Sequence, residues 1–192
     1  MSEENRKKAK GLLDKGHTAY NEENYQKAIG FYTEAIAINP NYDDAFYWRA
    51  NVHYALKNYR EALPDYSRAI ELNPNNEQAY YYRALSNYYL EAYPETLPDF
   101  DKAIELNPDV ASMYNWRGEV NYRQKQYEEA IFDYSKSIEL NKMMDTPSMA
   151  GPIVIICLRS IKKPALITPK QLNFYLSRGL NTSIGVASAI TI

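Results

Sequence analysis

Between residues 9 and 142 the apolar and polar positions follow a helical spacing, and the whole pattern repeats every 34 residues. The stretch FYWRANVHY, 46–54, shows one half of the repeat. Phe46, Arg49, Ala50 and His53 lie three and four apart and share one helix face, while Tyr47, Trp48, Asn51 and Tyr54 share the other. The other half is a block that closes on a fixed signal. YQKAIGFYTEAIAINP ends at Pro40, YREALPDYSRAIELNP at Pro74, YPETLPDFDKAIELNP at Pro108 and YEEAIFDYSKSIELNK at Lys142. The pattern predicts four units of two helices, A then B, spanning 9–42, 43–76, 77–110 and 111–142. Residues 1–8 read as a lead, and 143–192 as a tail in which the period is lost.

Local chemistry agrees with this division. Proline cannot extend a helix, and the residue before it avoids the α region, so helix B stops at Asn-Pro. The A–B turns hold Asn24 and Asn58, which tolerate turn backbone angles. Numbered within each unit, position 8 is small (Gly16, Ala50, Ala84, Gly118), and so is position 20 in Ala28, Ala62 and Ala130. Two helices approach closely where such residues meet. Position 17 is tyrosine throughout (Tyr25, Tyr59, Tyr93, Tyr127) and fills the space beside the turn. Thr96 breaks the small-residue rule and Pro98 follows Pro94, so the third helix B is expected to be the least regular.

The 34-residue period, the small residues at 8 and 20, the aromatics at 17 and 24 (Tyr32, Tyr66, Phe100, Tyr134) and the closing proline resemble the tetratricopeptide repeat (TPR) family. The resemblance implies an all-α, right-handed TPR solenoid of antiparallel helix pairs, with helix A lining a concave groove. It also implies a protein–protein interaction scaffold, with stability summed over neighbouring units.

Folding each hairpin about its turn sets position 7 opposite position 23. Arginine and aspartate occupy these two places together in three units, which predicts the ion pairs Arg49/Asp65, Arg83/Asp99 and Arg117/Asp133. The opposite side of helix A is aromatic. Position 12 is Tyr20, Tyr54, Tyr88 and Tyr122, a ladder that fits either packing on the next helix A or a ligand surface. Trp48, Tyr82 and Trp116 at position 6 read as lying on the open side, so that Trp48→Ala would leave the fold intact and weaken binding. The candidate peptide-binding groove comprises Tyr47, Trp48, Asn51, Tyr81, Tyr82, Tyr88, Trp116 and Tyr122.

Composition narrows the choice of partner. Nineteen tyrosines supply the rings, but the charge to hold nucleic acid on them is missing. Residues 1–143 carry 17 basic against 23 acidic side chains, a net of −6. The groove charges Lys10, Asp14, Asp44, Glu119 and Arg123 nearly cancel. The expected partner is therefore a protein or peptide and not nucleic acid. No phosphate-binding glycine loop, metal spacing or nucleophile–base motif occurs, so no enzyme activity, metal or cofactor is expected. His17 and His53 sit on different helix faces, one toward the groove and one interior. Cys157 is the only cysteine, which excludes an internal disulfide and suits a reducing compartment. The charged start MSEENRKKAKG has no apolar stretch behind it, and the apolar run Ile153 to Leu158 is too short to span a bilayer. A cytoplasmic protein with no membrane insertion is expected.

Unit 1 resembles the first repeat of chaperone-binding TPR proteins, whose carboxylate clamp grips Hsp70 and Hsp90 tails. The clamp places hold Leu13, His17, Trp48, Gln78 and Tyr82, none of which matches; starting one unit later, only Asn51 does. The reading is a scaffold that binds a peptide or partner helix in an aromatic concave groove. The alternatives are a co-chaperone or assembly adaptor working without the Hsp70/Hsp90 clamp, and contacts made by the outer faces. In the tail, residues 144–192 hold one acid and five bases. LNFYLSRGL, 172–180, resembles a worn helix A, so the tail is either a degenerate fifth unit or disordered.

Overall fold

The computed structural model describes residues 1–143, and the expectations for the tail lie outside them. Eight helices follow in order: α1 Glu3–Asn21, α2 Tyr25–Ile38, α3 Asp43–Ala55, α4 Tyr59–Leu72, α5 Glu77–Tyr89, α6 Tyr93–Leu106, α7 Ala111–Arg123 and α8 Tyr127–Met143. The described residues contain no strand. The fold is all-α. It divides into one compact unit that ends at Trp116 and a second that begins at Arg117.

Helix limits follow from caps and prolines. The hydroxyl of Ser2 accepts from the Asn5 amide at 3.2 Å and starts α1 at Glu3, so residues expected as a lead are the first turns of the helix. Asn76 caps α5 by accepting from the Ala79 amide at 3.0 Å. Asn39, Asn73 and Asn107, each before a proline, leave the α region and end α2, α4 and α6. Each A–B turn passes through the left-handed region at position 15, in Glu23, Lys57, Glu91 and Lys125, with φ of 57–63°. The strained residue is thus the one before Asn24 and Asn58, and the asparagines themselves have negative φ.

Within the first unit, α1 packs on α2, α3 on α4 and α5 on α6, and successive pairs meet through α2–α3 and α4–α5. The pairs run antiparallel: Tyr54 meets Tyr59 beside the turn while Arg49 meets Asp65 farther along. Small residues allow the approach. Ala28, Ala50, Ala62 and Ala84 are fully buried. A Cβ at Gly16 would come within 2.3 Å of the Tyr32 ring, which is itself fully buried. Thr96 is also fully buried, and its hydroxyl donates to the Ala92 carbonyl at 2.8 Å. Helix α6 runs unbroken over 14 residues, the length of α2 and α4. Pro64 and Pro98 lie inside α4 and α6 at exposed positions.

Arg49 and Arg83, at position 7 of their units, each make three bonds. Arg49 donates to both carboxylate oxygens of Asp65 at 2.6 and 2.7 Å, and to the Thr33 hydroxyl on the preceding helix B at 3.1 Å. Arg83 repeats this on Asp99 at 2.6 and 2.7 Å and on the Ser67 hydroxyl at 3.0 Å. In the second unit Arg117 holds Asp133 at 2.6 and 3.0 Å, and Asn121 donates to the same carboxylate at 3.0 Å. The Asp99 side chain is only 8% exposed, so removing its partner strands a charge. Arg83→Ala is expected to cost about 3 kcal/mol in chemical denaturation. Arg83→Lys is expected to recover only part of this, because an ammonium cannot bond both oxygens in the fork geometry.

Candidate functional site

The ring at position 24 sits at the centre of each hairpin and faces position 9 of helix A. The Tyr66 hydroxyl donates to Asn51 Oδ1 at 2.7 Å, and in the second unit the Tyr134 hydroxyl bonds Glu119 at 3.0 Å. In the third pair both places are apolar, Phe100 and Leu85. Asn51, expected on the groove side, is therefore 8% exposed and braces the hairpin interior. It also reaches Tyr47. Burial pushes the Tyr47 hydroxyl up to about 12, and a hydrogen bond with Asn51 pulls the other way. Tyr81 is raised by burial in the same manner, opposed by hydrogen bonds with Ser112 and Trp116.

Tyrosines at position 12 form rungs. Tyr20 touches Tyr25 of its own pair at 5.7 Å and Trp48 of the next at 5.9 Å. Tyr54 likewise meets Tyr59 at 5.4 Å and Tyr82 at 5.2 Å. Tyr88 meets Tyr93 at 5.9 Å and Trp116 at 5.1 Å. Most of these contacts are edge-to-face or tilted, each worth about 0.5–1.5 kcal/mol beyond burial. In the second unit Tyr122 packs on Tyr127 at 5.9 Å.

The structure therefore places Trp48, Tyr82 and Trp116 half-buried between successive A helices, where the sequence reading had them on an open side. Trp48 lies 4.6 Å from the His17 ring and 5.5 Å from Tyr47, against the core between α1, α2 and α3. Tyr82 stacks parallel to Tyr66 at 6.3 Å. Tyr47, Tyr81 and Tyr88 are also half-buried. The most exposed ring here is one the sequence reading passed over. Tyr89 is 43% exposed, stacks on Tyr59 at 4.7 Å and lies 6.1 Å from Trp116. Its only signal in the sequence is the doublet Tyr88-Tyr89, since position 13 is not aromatic elsewhere.

Charge on this side of the helices is uneven. In the second unit Glu119 and Arg123 pair at 2.7 Å and neutralise each other. In the first unit Asp14 and Asp44 are exposed, and none of the described ion pairs includes either. Among the described residues no cluster of potential metal ligands occurs, and no helix is long and apolar enough to cross a membrane.

Helix hairpins in 34-residue register, tied by buried rings and arginine forks, define a helical repeat protein. The tetratricopeptide repeat profile matches residues 43–76 and 111–143, and a second TPR profile matches 16–57. The chain belongs to the tetratricopeptide repeat family. Among solved structures it resembles MamA (residues 41 to end) from Desulfovibrio magneticus RS-1, at 25% identity over 72% of this chain and 78% of that one, with a TM-score of 0.67. It also resembles the first TPR domain of Spaghetti (RPAP3) bound to the HSP90 peptide SRMEEVD, at 25% identity over 62% and 94% of the two chains, TM-score 0.60. YrrB, described as a TPR protein with an unusual peptide-binding site, shares the fold at 19% identity over 94% and 91%, TM-score 0.75. No curated protein matches the chain in sequence.

The position of Trp48 has a consequence for stability. Its ring joins α3 to His17 and Tyr20 of α1, so Trp48→Ala is expected to cost about 2 kcal/mol, read as a lower denaturation midpoint. A midpoint equal to that of the wild type would mean that the ring supports binding alone.

Proposed function

We propose that this protein is an interaction scaffold whose A-helix face takes a peptide segment or helix of a partner protein, held through apolar and aromatic contacts. The observation that carries the reading is the row of rungs Tyr20–Trp48, Tyr54–Tyr82 and Tyr88–Trp116. The rungs place half-exposed rings at regular intervals on one side of the helices. Tyrosine and tryptophan held rigid in this way offer contact area at low entropic cost, which is why they dominate binding hot spots. The RPAP3 domain similar to this chain was solved with a peptide bound. That peptide ends in acidic residues, and the lysines and arginine of a carboxylate clamp are replaced here by Leu13, Gln78 and Tyr82. The segment bound here is accordingly of a different kind.

A second reading has one observation in its favour. Phe132 on α8 is 65% exposed, the largest exposure among the described large apolar side chains, and suits a contact made by an outer face. Three variants separate the two readings. Partners recovered with the intact chain are titrated against Tyr81→Ala, Tyr89→Ala and Phe132→Ala. Loss of about 2 kcal/mol of affinity in the tyrosine variants, with Phe132→Ala unchanged, is expected. The reverse pattern would move the contact to α8.

A further inference from the structure

We propose that residues 172–180 dock along α8 of the same chain as the A helix of a fifth unit, with Arg178 reaching Ser135 and Phe174 covering Ser137 and Ile138. The inference stands apart from the reading of the aromatic face. It starts from a surface that is buried as though another hairpin followed it. In the first unit the positions of helix B that meet the next hairpin are 27 and 28. Ala35 shares a core with Ala45 of α3, and Ala69 and Ile70 share one with Ala79 of α5. Helix α8 is the last among the described residues, yet it is covered to the same degree. Ile138 at position 28 is 9% exposed, against 8% for Ile70, and Ser137 at position 27 is buried like Ala69. Leu140 is buried too, where Leu72 and Leu106 are half-buried. A helix face that ended the array in open water would expose these side chains, and each unit of such an array is stabilised by the neighbour that covers it.

The sequence supplies the cover. In LNFYLSRGL the pair Arg178-Gly179 stands as Arg117-Gly118 does at positions 7 and 8 of the preceding helix A. That register puts Tyr175 at position 4, with Phe46, Tyr80 and Tyr114. It puts Phe174 at position 3, where Ala45 and Ala79 meet the helix B before them. Arg49 and Arg83 each donate to a hydroxyl at position 25 of the preceding helix B, Thr33 and Ser67, and position 25 of α8 is Ser135. Charge agrees with the docking: residues 144–192 hold one acid and five bases, while 127–141 hold four acids and one base. Reach is no obstacle. The connection 144–171 is far longer than the turn 39–42, and extended chain covers about 3.3 Å per residue against about 1.5 Å per residue along a helix.

Hydrogen–deuterium exchange of the full chain, read by mass spectrometry, tests the docking. The reference is a synthetic peptide of residues 165–185, and the variants are Phe174→Asp and Arg178→Glu. Amides of 172–180 in the wild-type chain are expected to exchange at least about tenfold more slowly than in the peptide. Each variant should return them to the rate of the peptide and speed exchange about tenfold in the second half of α8, with 46–54 as in the wild type. Exchange of 172–180 at the peptide rate in the wild type would overturn the proposal, and this comparison needs no substitution, so it stands even if a variant misfolds. Protection that persists in both variants, or that is lost without any change in α8, would overturn it as well. Protection that falls on dilution would assign the docking to a second copy and overturn the arrangement within one chain.

Discussion

An arginine fork that spans two units organises the first unit of this fold. Arg49 and Arg83 each grip an aspartate of their own hairpin and a hydroxyl of the hairpin before. The first contact sets how helix A lies on helix B, and the second sets how one hairpin lies on the last. A desolvated guanidinium tolerates little misplacement, because a lost bond leaves a buried aspartate charge unanswered. Dispersion between tyrosines is less demanding in direction, so the forks supply the register within which the rings pack. The 34-residue period is in this sense a repeat of charge geometry as much as of hydrophobic pattern.

Once the register is set, the rings serve two purposes in the proposed function. Tyr54 binds Tyr59 within its hairpin and Tyr82 in the next, and the edges that remain half-exposed form the surface available to a partner. On the proposed reading, stability and recognition share atoms. A surface of this sort is rigid before the partner arrives, which lowers the ordering cost of binding. It also explains the lack of uniform charge. Glu119 and Arg123 satisfy each other.

Much of this could be read from the residues. Unit starts at Asp43, Glu77 and Ala111 coincide with the first residues of α3, α5 and α7, because the period and the Asn-Pro stop are both local signals. Arginine at position 7 and aspartate at 23 occur together, and the structure sets them within bonding distance. What escaped depended on neighbours. Helical spacing assigns Trp48 a face but does not say that Tyr20 and His17 of the previous hairpin meet it there. Asn51 shares that face, yet the Tyr66 hydroxyl draws it inward. Thr96 stands where the other units have alanine, and its buried hydroxyl is satisfied by the Ala92 carbonyl, a partner the repeat pattern does not name. Glu3 to Lys8 carried no apolar period, so a start signal resting on Ser2 alone went unread.

The central claim is that a partner covers the aromatic A-helix face, and the chain provides its own reporter. Its two tryptophans, Trp48 and Trp116, both belong to the rungs on that face. Acrylamide quenching of tryptophan emission, measured on the free chain and on the chain saturated with a partner, tests the claim without any substitution. The account predicts a shallower quenching slope and a blue-shifted emission in the complex. An unchanged slope and spectrum, with saturation verified by calorimetry, would contradict it.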